Sequence, residues 1–187
     1  MNLSILRRTA ILGALVIALF GLNACDDDDA PEPENESEVI TTVKLTFTPA
    51  GGGNPLTFQA KDADGDGPDN IVIDDIVLSA NTDYTVSLEF LNELESPAED
   101  ITEEVREEGA EHQVFYTVNP SGLLTVTYND ADVNGRPIGV DTQWETGDAG
   151  TGSIDVVLKH QPDIKDANSG INDGETDINV TFTVNLE

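Results

Sequence analysis

Basic residues are scarce in this chain. Lys and Arg number eight in 187 residues, against 37 Asp and Glu, and the formal net charge is -29. Arg7 and Arg8 lie ahead of Cys25, so from Cys25 onward six bases face 37 acids. A phosphate binder needs a basic face, so this balance argues against nucleic acid and against anionic lipid headgroups as partners. Cysteine is limited to Cys25, which rules out a disulfide framework and a thiolate-built zinc site. Histidine occurs twice. No Gly-x-Ser-x-Gly elbow, His-Glu-x-x-His pair or phosphate loop is present, so no enzyme activity is expected. Carboxylates are so many that a close pair of them would carry no information. Hydrophobic residues make up 38%, enough for one domain with a core.

What is present begins at the N-terminus. Arg7 and Arg8 precede an apolar run, Thr9 to Phe20, that suits a secretory h-region and is too short to span a bilayer. Leu22-Asn23-Ala24-Cys25 then resembles the lipobox of bacterial lipoproteins. That resemblance implies a signal peptide over 1–24, acylation of Cys25, and anchoring to a membrane through lipid, since several acyl chains hold stably where one does not. Asp26, Asp27, Asp28 and Asp29 follow directly. In enterobacterial lipoproteins an Asp here resembles an inner-membrane retention signal. In Bacteroidota an acidic run after the Cys resembles the signal for display on the cell surface, and the acidic, strand-rich remainder favours that second reading. Residues 25–38 read as the lipidated Cys with an acidic, Pro- and Glu-rich tether, extended by self-repulsion.

From Val39 to Glu187 the dominant hydrophobic period is two. Val43, Leu45 and Phe47 alternate with polar residues, as do Tyr84 to Phe90, Val114 to Val118, Leu124 to Tyr128, Ile154 to Leu158 and Ile178 to Leu186. Shorter runs surround Leu56, Ile71 to Leu78 with a break at Asp74-Asp75, and Ile138 to Trp144. Such alternation predicts strands buried on one face, and eight or nine of them predict an all-β fold, an antiparallel, immunoglobulin-like β-sandwich. One segment, Ser96 to Gly109, reads as a short surface helix with Ser96 as N-cap, Pro97 at N1 and Gly109 as its stop.

The phrases PAEDITEEVREEGAEHQVFY, NDADVNGRPIG and GETDINVTF resemble a family of small lipoproteins from Flavobacteria and their relatives. Members often carry the label "type 1 periplasmic binding fold superfamily protein". A periplasmic binding fold is two-lobed, with repeated βα units. This chain has about half the length that needs, and almost no helical periodicity, so the strand pattern decides the expected fold. The resemblance implies a compartment, the outer membrane and its surface (the periplasmic face being the alternative), rather than a chemistry.

Three groups of side chains are candidate cation sites. Asp130, Asp132, Asn134 and Asp141 stand at positions 1, 3, 5 and 12 of a loop with Gly135 at 6, the spacing of a calcium loop. The flanks read as strands, and Asn-Gly between alternating runs is also a hairpin turn. Asp62, Asp64 and Asp66 repeat the start of that pattern, with Asp69 as a further donor, and read equally as a solvated connection. The third group is His112, His160, Glu108 and Glu111. Each His shares parity with an apolar strand face, His112 at the start of its run and His160 at the end of its own. Adjacent antiparallel strands would bring such ends together, and two imidazoles with one or two carboxylates suit Zn²⁺. The alternative is a pair of rim histidines bonded to neighbours.

The expected function is a binding module on an envelope lipoprotein, capturing a cation or a cation-bridged ligand for an outer-membrane, TonB-dependent transporter. The alternatives are a purely structural envelope protein and, last, an accessory hydrolase. Replacing Cys25 by Ser is expected to abolish lipidation and leave the chain uncleaved or soluble. Radioactive palmitate labelling of the wild type and the variant tests this, and an unlabelled wild type overturns the lipoprotein reading.

Overall fold

The computed structural model describes residues 39–65 and 70–187. Cys25, Asp26 to Asp29, Asp66 and Asp69 lie outside the described residues. Glu36–Glu187 is one compact unit. None of the described helices is long and apolar enough to cross a membrane.

The elements follow the hydrophobic alternation. They are β1 (Thr42–Pro49), β2 (Leu56–Lys61), β3 (Val72–Ile73), β4 (Ile76–Leu78), β5 (Asp83–Asn92), β6 (Glu99–Asp100), α1 (Ile101–Glu107), β7 (His112–Asn119), β8 (Leu124–Tyr128), β9 (Asp141–Thr146), β10 (Gly150–His160) and β11 (Glu175–Leu186). Eight strands have five residues or more; the remaining three are pieces of two or three residues. One sheet runs β3-β2-β1-β5-β9-β8, with β6 added on β5, and the other runs β4-β11-β10-β7. They pack as a sandwich that does not close into a barrel. All pairs are antiparallel except β11 with β4. The Asp74-Asp75 break explains that exception. It separates β3 from β4 at the point where the chain leaves one sheet for the other, so β4 enters beside β11 without a hairpin.

The apolar parity of each strand faces inward. Leu45, Phe47, Leu88, Phe90 and Trp144 from one sheet meet Val114, Ile154, Val156, Leu158 and Phe182 from the other. Trp144 stands edge-on to Phe47 at 5.0 Å and to Tyr116 of the facing sheet at 5.7 Å, the geometry that aromatic quadrupoles favour.

The helix begins later than the sequence predicts. Ser96 is not its N-cap, because Glu99 and Asp100 first pair with β5. The Asp100 carboxylate then accepts the amide of Thr102 at 3.0 Å and starts the helix. The helix is also better anchored than a surface connection. Ile101, Thr102 and Val105 are buried, and the Thr102 hydroxyl bonds both backbone groups of Phe90. Gly109 does not stop the helix, whose C-cap is Glu108. It packs against Ile138 instead: a Cβ there would meet Ile138 Cδ1 at 2.6 Å, so that side chain would have to shift.

A buried ammonium ties one end of the sandwich together. Lys165 donates to the carbonyls of Gly109 (2.6 Å), His112 (2.8 Å) and Pro137 (2.8 Å). Its Nζ is 3.3 Å from Asp132 Oδ2, and both side chains are almost wholly buried. Burial works to raise the Asp132 carboxyl, but the amides of Arg136 and Asn134 and the Lys165 ammonium together hold it below its ordinary value.

Lys165→Met strands three carbonyls and a buried carboxylate and is expected to lower unfolding free energy by about 3–5 kcal/mol, read by urea titration. A carboxyl depressed in the fold stabilises above its unfolded value and loses that contribution as pH falls through the folded value. The stability gap between wild type and Asp132→Asn is therefore expected to shrink as pH drops below about 4. A gap constant from pH 7 to 3 contradicts the assignment.

Candidate functional site

The two histidines meet. β7 and β10 are antiparallel neighbours, and their register pairs His112 directly with His160. The rings stack 4.5 Å apart and 9° from parallel. Glu108 arrives through local geometry: it caps α1, and its carbonyl accepts the amides of Glu111 (2.8 Å) and His112 (3.1 Å). This tight turn places Glu108 Oε2 3.8 Å from His112 Nδ1, four residues along the chain. Glu111 Oε2 lies 3.6 Å from His160 Nε2. The other side of the site is fixed by close backbone approach. Gly174, at φ +76°, passes so near β10 that a Cβ would lie 2.1 Å from the His160 carbonyl.

One ligand atom each from Glu108, His112 and His160 lies within 4.8 Å of the others, and this is the only such group of three or more His and acidic residues among the described residues. A tetrahedral shell with bonds of about 2.0–2.2 Å sets its ligand atoms about 3.4 Å apart. The cluster is therefore looser than a closed site, and its exposed member Glu108, with neighbouring Glu111, can swing inward. Because the rings stack, they must also rotate to turn their lone pairs toward one ion.

Burial pushes His112 down to about 4, His160 and the Lys165 ammonium act in the same direction, and the bond to the Glu108 carbonyl opposes them. A neutral imidazole at pH 7 is a ligand that needs no proton removed. Next to it stands Asp177, which sequence reasoning missed. Its Oδ2 is 3.8 Å from His112 Nε2, with both side chains only 3% exposed. Burial, with Glu175 adding to it, pushes this carboxyl up to about 6 against the pull of His160 and Lys159. Oδ2 has no hydrogen-bond partner.

The two Asp-rich loops are built differently. Asp130 accepts the amides of Gly139 (2.7 Å), Val140 (2.8 Å) and Asp141 (2.9 Å). Asp132 Oδ1 accepts those of Asn134 (2.8 Å) and Arg136 (2.9 Å). Asp141 pairs with Arg106 at 2.8 Å. These carboxylates face protein donors instead of one another. Asp62 likewise accepts the amides of Asp64 (3.3 Å) and Gly65 (3.1 Å).

An open cleft of about 640 Å³ adjoins the histidine site, lined among others by Glu111, Asn134, Arg136, Asp163 and Asp166. Glu111 borders both. Comparison with protein families, with curated proteins and with solved structures finds no match. The residues and their geometry therefore carry the functional argument alone.

Asp130 holds three amides, so Asp130→Asn is expected to cost about 1–3 kcal/mol of stability whether or not Ca²⁺ is present. Parallel melts in Ca²⁺ and in EDTA at matched ionic strength check this. A penalty confined to the Ca²⁺ sample identifies the loop as an ion site.

Proposed function

We propose that this chain is a cell-envelope lipoprotein, anchored through Cys25, whose β-sandwich is a binding module for a divalent transition cation or a ligand bridged by one. The observation that carries this reading is the cross-strand pair His112–His160 with Glu108 in reach. Glu111 is the natural fourth donor, 3.6 Å from His160 and open to the cleft. Two nitrogens with carboxylate oxygens favour Zn²⁺ over Ca²⁺, which prefers six or more oxygens. The adjoining cleft gives the rest of a cation-bridged ligand a place beside the ion. Delivery to an outer-membrane, TonB-dependent transporter fits a lipid-anchored, acidic module displayed at the surface. The reading of a ligand-free envelope protein predicts instead that cations act only by screening.

Isothermal titration and melting of the unit from Glu36 onward, stripped with EDTA, distinguish the two. One Zn²⁺ per chain is expected, with a stability gain of about 2.7 kcal/mol at a hundredfold excess over Kd. His160→Ala is expected to remove that gain. If Zn²⁺ does no more than Mg²⁺ at equal ionic strength, the module has no transition-metal site.

A further inference from the structure

We propose that Asp177 is the positioning residue of a carboxylate–histidine–metal triad: it takes the Nε2–H of His112 and so turns the Nδ1 lone pair toward the space shared with Glu108 and His160. This inference rests on the metal reading above and adds to it the group that prepares His112 as a ligand.

The first support is how Asp177 reaches the site. In β11 the residues that face the core are Ile178, Val180, Phe182 and Val184. Alternation from these puts Asp177 on the opposite face. The β10–β11 register, however, passes from Leu158↔Ile178 to Lys159↔Thr176, so Asp177 is the one residue left out of the pairing. A bulge adds a residue to one strand and re-aims its side chain. Here the side chain is turned into the fold, at 3% exposure, against His112. Among the described residues one other carboxylate oxygen is buried without a hydrogen bond, Asp132 Oδ2, and it has the Lys165 ammonium 3.3 Å away. The Asp177 carboxylate is enclosed with Oδ2 unpartnered. An enclosed acceptor without a donor weakens a fold unless another state of the molecule supplies one.

The second support is the choice of tautomer at His112. Nδ1 is 3.4 Å from the Glu108 carbonyl oxygen, and Nε2 is 3.8 Å from Asp177 Oδ2. The neutral ring has one proton for these two acceptors. If Nδ1 holds it, the nitrogen nearest the Glu108 carboxylate is blocked as a ligand. A carboxylate is the stronger acceptor, so Asp177 draws the proton to Nε2 and leaves Nδ1 open. Glu108 Oε2 lies on that Nδ1 side at 3.8 Å. The two carboxylates thus address opposite nitrogens of one ring, and a single ion at Nδ1 cannot also be reached through Nε2. Ring rotation toward the ion needs to shorten the Asp177 contact by less than about 1 Å to make a full hydrogen bond. Metal-bound histidines almost always donate their other N–H in this way, and loss of the acceptor typically weakens the site 10–100-fold.

The test uses the full chain in detergent, stripped with EDTA, as wild type, Asp177→Leu, Asp177→Asn and Glu108→Gln. Side-chain ¹⁵N NMR of the metal-free wild type is expected to show His112 with its proton on Nε2, and Asp177→Leu to shift it to Nδ1. Zn²⁺ affinity by competition titration is expected to fall about 10–100-fold in Asp177→Leu, with stoichiometry kept at one, and to fall less in Asp177→Asn, which retains a neutral acceptor. Metal-free Asp177→Leu is expected to melt higher than wild type, whereas loss of a packing residue would lower it. Glu108→Gln is expected to lose Zn²⁺ affinity with the Nε2–H tautomer unchanged. A wild-type ring protonated on Nδ1, or Asp177→Leu binding Zn²⁺ as tightly as wild type, overturns the positioning role while the metal reading stands. A cobalt-substituted spectrum that loses a ligand in Asp177→Leu makes Asp177 a direct ligand and also overturns it. Failure of the wild type to bind Zn²⁺ at all overturns the metal reading, and this inference with it.

Discussion

The buried ammonium of Lys165 is the contact on which the end of the sandwich that carries the histidine pair depends. Three carbonyls converge on it, from Gly109 after the helix, His112 at the start of β7 and Pro137 in the loop before β9. The Val114 amide also donates to the Ile138 carbonyl at 2.7 Å, so β7 and the loop before β9 touch through backbone as well. The one cation adds a single point at which all three segments meet, and it fixes the backbone of a candidate ligand as it does so. The Lys165 carbonyl in turn accepts from the Arg136 guanidinium, and the amide of Lys165 bonds the carbonyl of Gln161, directly after His160. Burial pulls the Lys165 ammonium below its ordinary value while Asp132 and Asp130 hold it up. With its carbonyl acceptors in place it remains a charged staple.

That use of Lys165 belongs to a pattern set by composition. Only six cations occur from residue 39 onward. Lys44 pairs with Glu89, Lys61 with Glu93, and Arg106 with Asp141. Lys159 donates to Thr176, and Arg136 and Lys165 hold the loops described above. Each cation ties elements distant in sequence. The few bases of so acidic a chain thus act as internal ties, and the surface is left to the acids.

Much of this architecture was legible in the sequence, for a physical reason. Strands buried on one face write their parity directly into the residue order, so β1, β5, β7, β10 and β11 could be read from Val, Leu, Ile and Phe alone. Parity and position at the strand ends also placed His112 and His160 as a possible pair. Their meeting needed the pairing of β7 with β10, a long-range choice that no local pattern encodes. Helix capping was ambiguous because Ser96 and Asp100 are both good caps, and pairing of Glu99-Asp100 with β5 decided between them. The Asp130 loop was ambiguous because the same spacing aims oxygens at an ion or at the loop's own amides. Asp177 was invisible because alternation assigns it outward, and a bulge is a break in alternation.

The acidity and the histidines answer different parts of one problem. A net charge of -29 creates a field that raises the local concentration of every cation, Na⁺, Mg²⁺ and Ca²⁺ included. A field of that kind cannot choose among them, and salt screens it over about 8–10 Å. Choice requires donors whose softness and geometry differ from those of water and carboxylate. Among the side chains of this protein only two are imidazoles, and they stand face to face across one strand pair, with Glu108 and Glu111 in reach and Asp177 on the far nitrogen of His112. Nitrogen donors follow the order in which Zn²⁺ binds more tightly than Mn²⁺ or Fe²⁺ and far more tightly than the hard ions of seawater or serum. On the proposed reading, the acids gather cations and the histidine pair selects among them. If the pair were merely structural, the least expensive solution at the end of a sandwich would be two apolar side chains, with Asp177 left on the outer face where alternation puts it.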